Sequence, residues 1–362
     1  MPDGKPEHPG SVVFGVESSC DETAAAVVRD GTAVLSNVVA TQEDLHEEYG
    51  GVVPEIASRA HLQRIYPVIA RAIDQADVGC DEIDAVAVGH RPGLIGSLLV
   101  GVAAAKALAW AWGKPIIGVD HISAHLHAAS LDTENQPQFP AVGLVVSGGH
   151  TSLFAMRSAL DVQCIGRTID DAIGEAYDKA ATIMGLGYPG GARVDARAGA
   201  GRDDAHALPI SRLEHDSLDF SFSGLKTALL YAVRGTPTGR GSSSTFQRDA
   251  SDLSAADIDD LCASFQRAAI GAVMLKLNRA IDQQTEQGNP PRSIIIGGGV
   301  SANTRLRRDA QALADQRGLT LHLPNMLYCL DNAAMIAGLA CLRLNAGLVD
   351  DLTLSASPAG TY

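Results

Sequence analysis

An α/β fold of two repeated lobes is what this sequence predicts, and three observations carry the prediction. Short apolar runs alternate with longer helix-like stretches along the chain. A hairpin-like motif recurs after 128 residues: Ser19-Cys20-Asp21-Glu22-Thr23 is answered by Ser147-Gly148-Gly149-His150-Thr151, each between two apolar runs. A unit of strand, glycine loop and helix also occurs twice, around Gly89-His90-Arg91-Pro92-Gly93 and around Gly297-Gly298-Gly299. With 362 residues, 46% of them hydrophobic, the chain has ample material for two cores.

Taken in order, the runs Ser11–Val16, Ala24–Val28, Ala85–Val88, Ile116–Val119, Ala141–Val146, Ser152–Met156 and Ser293–Ile296 read as strands. Ser97–Trp112, Ile173–Met184, Ile258–Ile281, Asn303–Ala314 and Asn332–Asn345 read as helices. The most apolar stretch, Leu94–Trp112, carries Lys106 and many small residues, which reads as a buried helix and not a membrane span. Each hairpin turn offers backbone N–H groups and hydroxyls, a concavity suited to phosphate oxygens. In the strand–glycine–helix units the glycines permit close backbone approach, and the helix N-terminus favours an anion or a ribose. Two lobes made of the same parts, with a nucleotide in the cleft between them, is the actin-like ATPase (ASKHA) architecture. A lobe boundary falls at Leu131 to Pro140, where a polar run ends in proline. The layout expected is a disordered tail over 1–10, a first lobe over 11–131 and a second over 132–331. The Gly/Ser/Thr-rich segment 235–252 is expected to be a mobile loop. A helix within 332–350 is expected to pack back on the first lobe, leaving a tail over 351–362.

Six dispersed cysteines without a CxxC fit reduced cytosolic thiols, and no signal peptide is read at the polar N-terminus, so a cytoplasmic location with no membrane partner is expected. The net charge of −14 argues against indiscriminate nucleic-acid binding by the whole surface. An RNA substrate would need a local patch or a partner; Arg59, His61 and Arg64, or Arg305, Arg307 and Arg308, are the sequence's candidates for such a patch.

His121-Ile122-Ser123-Ala124-His125 follows the strand-like run Pro115 to Val119. Histidines four apart stack on one helix face, where a metal takes two imidazoles. By itself the pair allows a protease, a structural metal or ordinary core histidines. Helical zinc proteases use HExxH with glutamate as base, and here the second position is Ile122. His127, two residues on, should point away from any metal.

The segments Val16–Thr23, Tyr49–Glu55, Val146–Thr151, Asp170–Lys179, Tyr188–Gly191, Phe220–Thr227, Gly298–Asn303 and Asp331–Ala337 together resemble one group. It is the universal tRNA threonylcarbamoyladenosine transferase family, its bacterial branch in particular. The resemblance spans about residues 12 to 350.

That resemblance implies transfer of a threonylcarbamoyl group from threonylcarbamoyl-AMP to N6 of the adenosine 3′ to the anticodon, in tRNAs reading codons that begin with A. AMP is the other product. An exocyclic adenine amine is a poor nucleophile, so the donor must be activated and its carbonyl polarised. The resemblance places one divalent metal per subunit on His121, His125 and Asp331, where it would serve as Lewis acid and template. Two imidazoles and a carboxylate suit Fe(II) or Zn(II), with Fe(II) the expected ion. Val145, Val146, Ser147, Gly148 and Gly149 match the loop at the phosphate and acyl group. Asp178 matches the acidic residue at the ribose hydroxyls, Gly191 and Asp195 complete that wall, and Asn303 matches the polar contact on the nucleoside. Glu17 is the candidate for orienting water or the incoming amine. The implied partners are tRNA, an inactive paralogue subunit and a small ATPase subunit.

Two positions depart from the family pattern. Arg91-Pro92-Gly93-Leu94 stands where relatives show Gly-Pro-Gly-Leu, and Leu330 where a threonine commonly precedes the metal aspartate. The first limits positive φ or adds a cation; the second removes a hydroxyl. An actin-like sugar or acetate kinase shares the lobes but needs no paired histidines. An idle scaffolding paralogue has no need of an intact His121, His125 and Asp331 set.

Overall fold

In the computed structural model, which describes residues 10–238 and 246–360, β1 (Val12–Glu17) and β2 (Glu22–Arg29) form an antiparallel hairpin that runs from Val12 opposite Arg29 to Glu17 opposite Ala24. The expected tail over 1–10 (Gly10 apart), residues 239–245 of the expected loop and residues 361–362 lie outside the described residues. β3 (Ala33–Thr41) extends the hairpin antiparallel to β2. The short α1 (Glu43–His46) and the long α2 (Pro54–Ala76) follow. β4 (Ala85–Arg91) returns parallel to β1, and α3 (Ile95–Trp112) leads to β5 (Ile116–Asp120), parallel to β4. The sheet order is β3-β2-β1-β4-β5. Straight after β5 comes α4 (His121–His127).

This sheet is buried on both faces, which is why its inner strands read as continuous apolar runs. Phe14, Val16, Val86 and Val88 turn to the face covered by α2 and α3. α3 is long and apolar enough to cross a membrane by length and composition, and here it packs on β4 and α2 through Leu98, Val102, Ala105 and Ala109. Val13, Ala24, Ala26, Ala85, Ala87 and Val119 turn to the other face.

The second sheet repeats the scheme. β6 (Ala141–Val146), β7 (Thr151–Met156) and β8 (Val162–Arg167) form an antiparallel meander, β9 (Ser293–Gly297) joins β6 in parallel, and β10 (Thr320–His322) joins β9 in parallel. Read from the other end, the order β10-β9-β6-β7-β8 is that of the first sheet strand for strand. Helices α5 (Ile173–Ile183), α6 (Gly190–Ala198), α7 (Ser223–Arg234), α8 (Ala255–Glu286) and α9 (Thr304–Arg317) enclose one large core with it. α10 (Ala333–Asn345) covers the second face of the first sheet, where Ala333, Ala334, Ala337 and Ala340 bring its backbone close to β1 and β2. The chain divides into two compact units: the described residues up to Gln136 together with those from Pro324 onward, and Pro137–Leu323. Two such sheets in one order, each with the hairpin–crossover pattern, make this the actin-like architecture.

Candidate functional site

Two groups of sequence-predicted residues come together, one in each unit. In the first unit Asp120 caps α4: its Oδ1 accepts from the N–H groups of Ile122 (3.0 Å) and Ser123 (3.3 Å). The helix so started carries His121 and His125 on one face, their rings edge to face at 4.5 Å. His127 turns away and donates from Nε2 to Gly31 O at 2.7 Å. Asp331 reaches the pair from the loop before α10. Its Oδ1 lies 3.4 Å from His121 Nε2 and 3.1 Å from His125 Nε2, and one donor atom from each of the three residues lies within 4.8 Å of the others. Asn332 holds that loop: Oδ1 caps Met335 N at 3.0 Å, and Nδ2 donates to Leu330 O at 2.8 Å.

These donors fit a metal ion. Both ring nitrogens of His125 are buried; Nε2 meets only the Asp331 carboxylate, 3.1 Å away, and Nδ1 has no hydrogen-bond partner. A buried imidazole so placed calls for a cation. His121 is braced from behind. Its Nδ1 lies 3.0 Å from Glu17 Oε2 and 3.2 Å from Ser19 Oγ. A proton on Nδ1, given to Glu17, leaves the Nε2 lone pair on the Asp331 side, the usual carboxylate–histidine–metal relay. Burial opposes a charge on His121, yet the carboxylates of Asp331 and Glu17 outweigh it and hold its pKa well above the usual imidazole value. Burial likewise works against ionised Asp331, but His121 outweighs it and holds the carboxyl well below its usual value. Burial, then the charge on His121, pushes His125 down. A cation among the donors would neutralise these carboxylates in the proton's place.

The sequence makes Glu17 a candidate for orienting water or the incoming amine. The structure puts it out of solvent contact, with Oε2 at His121 and Oε1 accepting from Ser19 N at 2.5 Å. Nor is the first hairpin turn an open phosphate cradle. Ser18 and Ser19 are buried, Ser18 Oγ donates to Ser97 O at 2.8 Å, and Asp21 and Glu22 line the turn. Burial, then Asp331 and Asp21, push the Glu22 carboxyl well up. Of the expected basic patches, His61 is fully buried, bonded to Thr23 and to Cys20 O. Arg59 pairs with Glu55, Arg305 with Asp203 and Asp309, and Arg308 with Asp309. Arg91 extends β4 and adds a cation 3.5 Å from Asp120, the residue that caps the histidine helix. Leu330 points to solvent.

In the second unit the Ser147–His150 turn is open. Ser147 Oγ accepts from His150 N at 3.1 Å and Ser147 N donates to His150 O at 2.8 Å. Gly148 and Gly149 are exposed, and a Cβ on either would meet nothing within 4 Å. Val145 and Val146 are buried strand residues, so only their backbone is offered to this loop. Gly298 lies against it with φ +91°, and a Cβ there would collide with Val146 O. Asp178, on α5, accepts from Gly190 N at 2.8 Å, next to the open Gly191. Asp195, on α6, takes Thr304 N (3.1 Å) and Thr304 Oγ1 (2.8 Å), and Asn303 Nδ2 lies 3.2 Å from its Oδ1. Sequence reasoning missed Gln266, which joins Asn303 and Asp195. A glutamine among Cys262, Phe265, Ala269 and Ile270 on a buried helix face was the available signal.

The family model for TsaD, tRNA N6-adenosine threonylcarbamoyltransferase, matches residues 33–338. The chain belongs to that family. A protein of the same name from Rhodopirellula baltica is 47% identical over 359 residues, covering 98% of each chain. One from Symbiobacterium thermophilum is 48% identical over 347 residues, covering 96% of each. Among solved structures, T. kodakarensis HypF matches 94% of this chain and 48% of its own with a TM-score of 0.58 at 14% identity, a likeness of fold alone. As a tRNA N6-adenosine threonylcarbamoyltransferase, the chain is a transferase that places a threonylcarbamoyl group on N6 of an adenosine in tRNA.

Proposed function

We propose that the donor is threonylcarbamoyl-AMP, and that the acceptor is the adenosine 3′ to the anticodon in tRNAs reading codons that begin with A. The observation that carries the reading is the group of His121, His125 and Asp331, with Glu17 behind it and both His125 nitrogens otherwise unpaired. Two imidazoles and a carboxylate suit either Fe(II) or Zn(II), and of the two Fe(II) is the ion proposed. When bound, the ion supplies Lewis-acid polarisation of the carbonyl and a template for the threonylcarbamoyl group.

The chain's own residues do the rest. Glu17 holds the Nδ1 proton of His121 and so keeps Nε2 available. Gly148 and Gly149 leave room for the donor phosphate against the turn, with Ser147 and the backbone of Val145 and Val146 shaping it. Asp178 and Gly191 face the ribose, and Asn303, supported by Asp195, faces the nucleoside. The adenine N6 attacks the carbamoyl carbon, the bond from that carbon to the phosphate oxygen breaks, AMP leaves, and the amine proton passes to solvent.

The acidic net charge and the pairing of Arg59, Arg305 and Arg308 with carboxylates support shared tRNA docking, with an inactive paralogue and a small ATPase as partners in the cytoplasm. Mass spectrometry of tRNA nucleosides after depletion of the protein tests the assignment. Threonylcarbamoyladenosine should vanish from tRNAs reading A-starting codons; an unchanged level, in a cell with no second copy, would sink it.

A further inference from the structure

We infer that Gln266 is a positioning residue that, together with Asp195 and the Leu306 N–H, holds the Asn303 amide with its oxygen as an acceptor toward the nucleoside. The inference rests on the proposed placement of the nucleoside at Asn303. Gln266 sits in the middle of α8 and is only 5% exposed. A primary amide buried there must have its hydrogen bonds met inside the protein. Its Nε2 donates to Asp195 Oδ1 at 2.9 Å. A carboxylate only accepts, so the amide cannot be flipped and Oε1 must face the other way. There Oε1 accepts from Tyr177 OH at 3.2 Å and from Asn303 Nδ2 at 2.8 Å.

The consequence falls on Asn303. Nδ2 is held by Gln266 Oε1 and, at 3.2 Å, by Asp195 Oδ1, which takes both of its protons. Oδ1 accepts from Leu306 N at 3.0 Å, capping α9. One lone pair of Oδ1 is what the side chain has left. Asn303 can therefore greet only a donor, a ribose hydroxyl or an exocyclic amine. With Gln266 replaced, Nδ2 loses its 2.8 Å acceptor and the amide is held in place by Asp195 Oδ1 and the Leu306 N–H, so its lone pair is aimed less firmly at the ligand.

The test uses the full chain with its partner subunits, threonylcarbamoyl-AMP as variable substrate, and AMP binding by calorimetry. Losing one oriented hydrogen bond predicts that Gln266→Met raises KM and the AMP Kd about tenfold. Saturated kcat and metal content should stay near wild type. On an Asn303→Ala background the same substitution should add nothing to KM, an outcome that a packing role for Gln266 would not give. Tyr177→Phe, which removes one partner of the same Oε1, should raise KM about twofold to threefold and keeps the test open if Gln266→Met folds poorly. Equal KM effects of Gln266→Met with and without Asn303 would overturn the inference, as would a loss confined to kcat. If Asn303→Ala raises KM and neither Gln266→Met nor Tyr177→Phe does, the inference alone fails. If Asn303→Ala changes neither KM nor AMP affinity, the nucleoside placement fails with it.

Discussion

The hairpins β1–β2 and β6–β7 share a backbone and differ in chemistry. Glu17 pairs with Ala24 as Val145 pairs with Ser152, the positions that follow them by 128 residues. In that register Cys20, Asp21 and Glu22 stand where the second turn has Gly148, Gly149 and His150, and Glu17 stands where it has Val145. The first turn is closed and acidic, and it braces a histidine beside Asp331. The second is open, with no carboxylate of its own and two glycines at which a Cβ would meet nothing within 4 Å. A duplicated scaffold thus carries a cluster of potential metal-ligand donors in one unit and an open glycine turn in the other. Backbone duplication does not fix chemistry; the side chains placed on it do.

The largest effect should come from removing a donor from that cluster. His125→Ala should abolish stoichiometric metal and lower threonylcarbamoylation at least about 100-fold, since the ion's Lewis-acid contribution is several kcal/mol. Elemental analysis alongside nucleoside mass spectrometry checks it; full metal occupancy in the variant would defeat the assignment of the cluster. Next, Glu17→Gln should weaken metal affinity about 10- to 100-fold by chelator competition, the usual cost of losing a carboxylate behind a ligating histidine. An unchanged affinity would mean that Ser19 Oγ, 3.2 Å from the same nitrogen, suffices. At the glycine turn, Gly149→Asp writes the first turn's residue into the second. KM for threonylcarbamoyl-AMP should rise at least about tenfold through like-charge repulsion. The melting temperature should not move, because the new Cβ has open space. If Gly149→Ala raises KM as much, crowding and not charge governs the turn.

Much of this was legible in sequence because the signals were local. All seven apolar runs read as strands are strands, for they lie where sheet burial is deepest or continuous. The strands the sequence does not mark, β3, β8 and β10, are all sheet edges. β3 and β8 mix Ser36, Asn37, Gln163 and Cys164 into the run, and β10 has three residues, so no apolar period develops. α2 was hidden by Pro67 within the helix and by its many charged and polar positions. The pairing of His121 with His125 follows from helix periodicity, whereas Asp331 could be joined to them only through the family resemblance. The partner of Glu17 was not legible at all. It depends on which way the end of β1 faces relative to the start of α4, and that is settled by the sheet order and not by any window of sequence.

The smallest expected effect sharpens the comparison most, because it concerns one residue type at one repeated position. Thr23 and Thr151 correspond, and each ties its hairpin to a helix, with the hydroxyl used in opposite senses. His61 Nε2 donates to Cys20 O at 3.0 Å, and burial pushes the imidazole pKa down, so Nδ1 is an acceptor and Thr23 Oγ1 donates to it at 2.8 Å. Thr151 Oγ1 instead accepts from Ile173 N at 2.8 Å and does the work of a cap for α5, whose own N-cap residue, Ala172, has no side-chain acceptor. Thr151→Val should cost about 1 kcal/mol in urea unfolding, as loss of a helix cap does. Thr23→Val should cost about 1–3 kcal/mol, because a buried ring nitrogen is left without its donor. In both places serine should restore most of the loss. If Thr151→Ser is as damaging as valine, the methyl group is needed along with the hydroxyl to hold α5 to the turn.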